Sequence, residues 1–230
     1  MFDNVMTNIF KMSLISMRVK LRRQLKLIKA NLLLKNKDFT LLTDNCLAGA
    51  IYHDFGMQFR TPLINGAFSP EDYIKFLKKP KYYLSLDLVF ISNKELLPPF
   101  YRKDCPVARL GDIHFRFSHY HVSEDMIRII WNKRKNRINW DNLYIIMTEK
   151  KECTIEHMKE FDSLPYRNKL ILTCRHYSEL KNAFYVKGFE EIGYIDNLLK
   201  DMSGFLHITK KYYDQFDFVT WLNSGKIINS

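Results

Sequence analysis

The chain has 230 residues, of which 47% are hydrophobic, 14% aromatic and 27% charged, enough apolar material for one α/β domain with a true core. Ordinary charge content argues against a disordered chain, and no apolar run reaches the roughly 20 residues that span a bilayer. The net charge is +11, yet residues 1–37 hold nine cations and only Asp3 as an acid, so that segment carries +8 and the remainder is near neutral. A fold that is itself a nucleic-acid binder is therefore disfavoured.

In chain order, Leu14 to Leu34 has helical periodicity. Leu14, Leu21, Leu25, Ile28 and Leu32 recur at spacings of three, four or seven, with Arg18, Arg22, Lys26 and Lys29 beside them. Such a basic amphipathic arm over 1–37 suits an anionic membrane surface reached through residues 11–37. It equally suits packing on its own domain or pairing with a second copy as a homo-oligomer. Phe39–Thr43 reads as a strand, Asp44-Asn45 as a turn and cap, and Leu47–Phe55 as a helix. Pro62–Asn65 is a second strand candidate. Ser69-Pro70-Glu71-Asp72 opens a helix to Lys78, because serine caps, proline fits the first helical position and acids favour the first turn.

Leu86–Ser92 reads as a strand and Pro98-Pro99 as a loop. Val107–Leu110 and Ile113–Phe117 are short strands, Ser123–Asn136 a capped helix, and Leu143–Thr148 a buried strand. Thr154–Phe161 is a helix, Leu170–Thr173 a strand, and helical candidates follow to the end. Strands alternating with helices predict an α/β domain over 38–230, a mostly parallel, Rossmann-like open sheet with helices on both faces.

Cys46, Cys105, Cys153 and Cys174 are widely spaced without a CxxC pair or zinc-ligand grouping, so no metal is expected and reduced thiols in the cytoplasm are the natural reading. The start of the chain lacks the pattern of a secretory signal. Glycine-rich phosphate loops and the GxSxG and HExxH motifs are absent.

In open α/β sheets the ligand lies beyond the carboxyl ends of the strands. Asn45-Cys46 and Ser118-His119-Tyr120-His121 both follow predicted strands. A cysteine at a helix amino end is expected to have a lowered pKa, a neighbouring histidine suits a general base, and Asn45 could hold an oxyanion. Catalytic candidates are therefore Cys46, His119 and Asn45, with His121 as a further contact. His53 lies two helical turns, about 10.5 Å, beyond Cys46, too far to hydrogen-bond it but able to reach a ligand. Arg134, Lys135 and Arg137 close a helix and could cradle phosphates. Each also has a plain structural reading: Cys46 as core, the histidines as caps or loop anchors, the cations as partners of the helix carboxyl end.

Asp44-Asn45-Cys46-Leu47-Ala48-Gly49-Ala50-Ile51-Tyr52 with Phe55-Gly56-Met57-Gln58-Phe59 and Thr61-Pro62 resembles the opening signature of domain-of-unknown-function family 1919. Further blocks are Asp72–Leu77 with Tyr82–Leu84, Pro106–Ile113 with Phe115–Tyr120, and Trp131–Asn139 with Asp141–Leu143, so the similarity spans about 38–150. Leu47-Ala48 stands where the family commonly has Trp-Gly, and Arg116-Phe117-Ser118 replaces a more apolar run.

The resemblance implies bacterial exopolysaccharide or capsule biosynthesis, with a saccharide or lipid-linked saccharide as substrate. It also implies ligand contacts at Gln58, Asp112 and the Arg137–Asn139 pair. The expected chemistry is transfer from a coenzyme A thioester, such as acetyl-CoA, to a saccharide hydroxyl. A glycosyltransferase or sugar-phosphate transferase is the alternative, although no Asp-X-Asp occurs. A non-catalytic assembly factor docked at the membrane is the third.

Overall fold

A computed structural model describes residues 2–92, 105–202 and 210–228, and in the amino-terminal helix it describes side chains at Met17 and from Val19 onward. The Pro98-Pro99 loop and the Leu14 side chain lie outside the described residues.

The body is α/β. Strands β1 (Thr40–Thr43), β5 (Leu143–Thr148), β6 (Asn168–Thr173) and β7 (Ala183–Tyr185) form a parallel sheet in the order β1-β5-β6-β7. Its strands are apolar on both faces, as sheets buried on both sides must be. Leu41, Tyr144, Ile146, Leu170 and Leu172 look one way, toward α2 (Leu47–Asp54) and α7 (Phe218–Ser224). Leu42, Ile145, Met147 and Ile171 look the other way, toward α3 (Pro70–Lys78) and α6 (Ile155–Ser163).

The strands expected at Val107–Leu110 and Ile113–Phe117 form, but not in the parallel sheet. As β3 (Val107–Leu110) and β4 (Ile113–Arg116) they make a tight antiparallel hairpin through Gly111, whose φ of 63° suits a glycine turn. A short β2 (Val89–Phe90) joins them in a separate three-stranded sheet, so only two residues of the expected Leu86–Ser92 strand pair. The two-residue connection from β3 to β4 allows antiparallel pairing only, because a parallel crossover needs about a dozen residues.

Pro62–Asn65 is not a strand. Its Leu63 and Ile64 are fully buried, but proline lacks an N–H to donate and Asn65 takes φ 59°, which ends extended geometry.

The helix starts follow their caps. Ser69 Oγ accepts from Asp72 N at 3.1 Å before α3, and Ser123 Oγ accepts from Met126 N at 3.3 Å before α5 (Glu124–Lys135). A second short helix, α4 (Pro80–Ser85), follows α3 after Pro80. The end of the chain is less helical than expected. After β7 comes a 3-10 turn at Tyr212–Gln215 and then α7, which inserts the fully buried Trp221 into the core.

The amino-terminal helix α1 (Phe2–Leu33) lies against this body with its basic side inward. Arg22 contacts Asp54 at 2.8 Å and Asp214 at 3.3 Å and donates to Tyr213 Oη, while Lys26 pairs with Asp214. Ala30 and Leu34 enter the core beneath it. The stripe Leu21, Leu25, Ile28 and Leu32 points outward instead, 51% to 77% exposed. Among the described residues no helix is long and apolar enough to cross a membrane.

Candidate functional site

The carboxyl ends of β1, β4 and β5 converge on a cleft of about 680 Å³, within the usual size for a small-molecule site. Its walls hold Asn45, Cys46, Arg116, His119, Thr148 and Lys150, and a segment from Ile195 to Leu199 closes one side. Ile195 N donates to Glu149 O at 2.7 Å, which fastens that segment to the end of β5.

Each wall is held by local bonds. Asn45 Nδ2 donates to Thr148 Oγ1 at 2.9 Å, tying β1 to β5, while its Oδ1 accepts from Leu47 N at 3.0 Å and starts α2. Thr43 Oγ1 donates to Asn45 O at 2.6 Å in the same turn. Gly66 lets the next loop cross the hairpin: a Cβ there would stand 2.2 Å from the Phe115 ring. Ala67 and Arg116 then exchange backbone bonds of 2.8 and 3.0 Å, which brings Arg116 to the cleft. Arg116 Nε donates to Ser118 Oγ at 3.0 Å.

Asp44 is fully buried behind the cleft. Lys150 Nζ stands 2.8 Å from its Oδ2 and donates to the carbonyls of Asp44 and Phe68 at 3.1 and 2.8 Å. Burial pushes the Asp44 carboxyl above its ordinary pKa, against the pull of Lys150.

The cysteine stands at the amino end of α2, as expected, but its thiol is not acidified. Burial pushes it up to about 11, Arg116 and Lys150 draw it down, and Asp44 raises it further. Desolvation of the charged form outweighs the helix end here. Cys46 Sγ lies 3.8 Å from Gly66 O.

His119 lines the same cleft with an exposed side chain, and its backbone N–H donates to Asn65 O at 3.2 Å. Cys46, His119 and Asn45 are thus brought together, whereas the seven expected binding residues line no part of this cleft. His121 is exposed. His53 is exposed at the far end of α2, with Nδ1 3.8 Å from Asp54. Gln58 is exposed as well. Asp112 sits in the β3–β4 turn and accepts from Tyr83 Oη at 2.9 Å.

The expected phosphate cradle is used as an internal fastening. Arg134 lies over Phe59 and donates to Tyr120 Oη at 2.7 Å, and Arg137 Nη1 donates to Phe59 O at 3.3 Å. Asn139 N donates to Thr40 Oγ1 at 2.8 Å and its Nδ2 to Asp38 O at 2.9 Å, at the amino end of β1, opposite the cleft.

Sequence reasoning missed Lys150, Arg116, Thr148, Asp196 and Asn197. Thr148 ends and Lys150 follows a strand that was recognised, so the strand-end rule points to them as well. Arg116 alternates with the buried Phe115 and Phe117, which also marks it as facing away from the hairpin core. Asp196 and Asn197 arrive from a segment without local signal. Cys105 also lines the cleft. Among the described residues no group of three or more His, Cys, Asp or Glu side chains is placed to hold a metal ion.

The chain is 36% identical over 190 residues to an uncharacterized protein of Haemophilus influenzae, covering 83% of this chain and 86% of that one. A family described as "Domain of unknown function (DUF1919)" matches residues 17–223, nearly the whole described body together with the docked part of α1. The chain belongs to that family.

Proposed function

We propose that this protein is a transferase of bacterial surface-polysaccharide synthesis, moving an acyl group from a coenzyme A thioester to a hydroxyl of a polysaccharide or its lipid-linked precursor. The observation that carries this reading is that Cys46 and His119 line one strand-end cleft with Arg116 and Lys150 on its wall. The resemblance to exopolysaccharide proteins supplies the substrate class, and another capsule acyltransferase family places an Asn-Cys pair in a comparable opening segment. The parallel sheet is read in the same proposal as Rossmann-like, with the four free cysteines suiting a reducing cytoplasm.

With its pKa near 11 the thiol rests in the neutral form, so the chemistry depends on a base. His119 takes the proton of Cys46 as sulfur attacks the thioester carbonyl. Coenzyme A leaves as its thiolate and recovers that proton from the imidazolium. A saccharide hydroxyl then attacks the acyl-cysteine, giving its proton to His119, which returns it to the departing Cys46 sulfur. Arg116 meets the donor's phosphates, while Lys150, its three donors committed to Asp44 and Phe68, holds the wall of the cleft.

The test is acyl transfer from acetyl-CoA to a capsular oligosaccharide, together with thermal shifts. Cys46→Ala abolishes transfer and His119→Ala lowers it by roughly 10²–10⁴-fold. Full activity in Cys46→Ala removes the thiol from the mechanism. Stabilisation by sugar nucleotides but not by coenzyme A replaces the reading with a glycosyltransferase.

A further inference from the structure

The outward face of α1 is apolar along its described length. Met17, Leu21, Leu25, Ile28 and Leu32 follow one another at steps of four, four, three and four, a seam of about 22 Å on one side of the helix. All five are more than half exposed.

Rotation of the helix cannot bury this seam in the body. The opposite face is fixed by Arg22 and Lys26 against Asp54, Asp214 and Tyr213, all largely buried. Turning the helix would strand two carboxylates without cations, which is strongly unfavourable. The seam must therefore be covered from outside.

Charge selects the cover. Residues 17–37 contain eight cations and no acid. Lys20 stands about 100° from the centre of the seam on one side and is exposed. Lys29 stands about 80° on the other side, half-exposed and paired with Asp217 at 3.0 Å, and Lys35 and Lys37 are exposed just beyond the helix. The neighbouring Gln24 and Asn31 are neutral. A second copy would bring the same lysines to these positions, and Asp217, the acid beside Lys29, is already paired with it, whereas paired helices are selected by opposite charges beside the seam. An anionic lipid surface supplies both an apolar layer for the seam and negative headgroups for the lysines.

We propose that the exposed face of α1 lies in the interfacial layer of an anionic bilayer, parallel to its plane, and holds the body on the membrane surface. The inference is independent of the chemistry in the cleft.

The full chain is sedimented with vesicles of phosphatidylcholine alone or with added phosphatidylglycerol, and light scattering gives its mass without lipid. Binding is expected only with phosphatidylglycerol and is weakened by salt. Leu21→Gln/Leu25→Gln/Ile28→Gln, which alters exposed positions and should keep the wild-type melting curve, reduces it tenfold or more. Lys20→Gln reduces it roughly fivefold, the loss of one cation near the surface. Absence of binding to anionic vesicles overturns the proposal, as does equal binding by the triple variant. A dimer in wild type that the triple variant converts to monomer also overturns it, because a second copy then covers the seam.

Discussion

Asp44 and Asp54 stand at opposite ends of the turn-and-helix unit that follows β1, and both are buried, but their surroundings differ. Asp54 meets Arg22, Lys26 and the Tyr213 hydroxyl. Burial alone would raise its pKa, yet the Arg22 and Tyr213 hydrogen bonds and the two cations hold it below the ordinary carboxylate range. Asp44 meets Lys150, and there burial prevails, so its carboxyl is raised. One cluster is over-compensated and fastens α1 to the body. The other leaves a carboxyl, an ammonium and the Cys46 thiol in a poised balance at a cleft, as functional sites tend to.

The largest effect is expected in the fastening. Arg22→Ala leaves two buried carboxylates with one lysine and should cost about 3–5 kcal/mol in urea unfolding. Asp44→Asn should cost about 1–3 kcal/mol, the loss of one charged partner beside a solvent-reached cleft. If the two costs are equal, the distinction between the clusters fails.

Next in size is the reactivity of Cys46. Alkylation by iodoacetamide should be slow at neutral pH and rise toward pH 11, following the raised thiol. Asp44→Asn removes a charge that raises the thiol, and Lys150→Met removes one that lowers it, so the first should react several-fold faster and the second several-fold slower. Unchanged rates in both would separate Asp44 and Lys150 from the thiol.

Acid should separate the two aspartates by sign. The depressed Asp54 contributes stability that is complete above its unfolded pKa and is lost as pH falls through the lower folded value. The raised Asp44 contributes in the opposite sense, most below its unfolded pKa and less as pH rises through the folded one. Melting curves from neutral pH into the acid range should therefore show the gap between wild type and Asp54→Asn closing on acidification. The gap for Asp44→Asn should not close in that way. The smallest effects are expected at His53→Ala and Gln58→Ala, each within about 0.5 kcal/mol and neutral for acyl transfer, since both are exposed and away from the cleft.

Much of the fold was legible in the chain. Caps at Ser69 and Ser123 and the apolar runs Leu41-Leu42 and Leu143–Thr148 carry local signals that tertiary structure did not override. The hairpin Val107–Phe117 was legible as strands but not as a separate sheet, because alternation fixes which face a residue takes and not which strand it meets. The orientation of α1 was less legible. Its apolar stripe was left open between a membrane surface, the body and a second copy, and only the distant Asp54 and Asp214 made the side with Arg22 and Lys26 the inner one.

At the cleft the sequence by itself determined the ends of the strands, and so that Asn45-Cys46 and His119 each follow one, because strand and turn preferences are local. Tertiary pairing through Ala67 and Arg116 decided that the hairpin end meets the parallel sheet. Tertiary structure alone decided that Lys150 and Arg116 stand beside that thiol and that burial raises it. It also turned Arg134 and Arg137 into fastenings on Tyr120 and Phe59, and Asn139 into one at the amino end of β1. Charge and desolvation depend on which distant groups share a space, and no spacing along the chain records that.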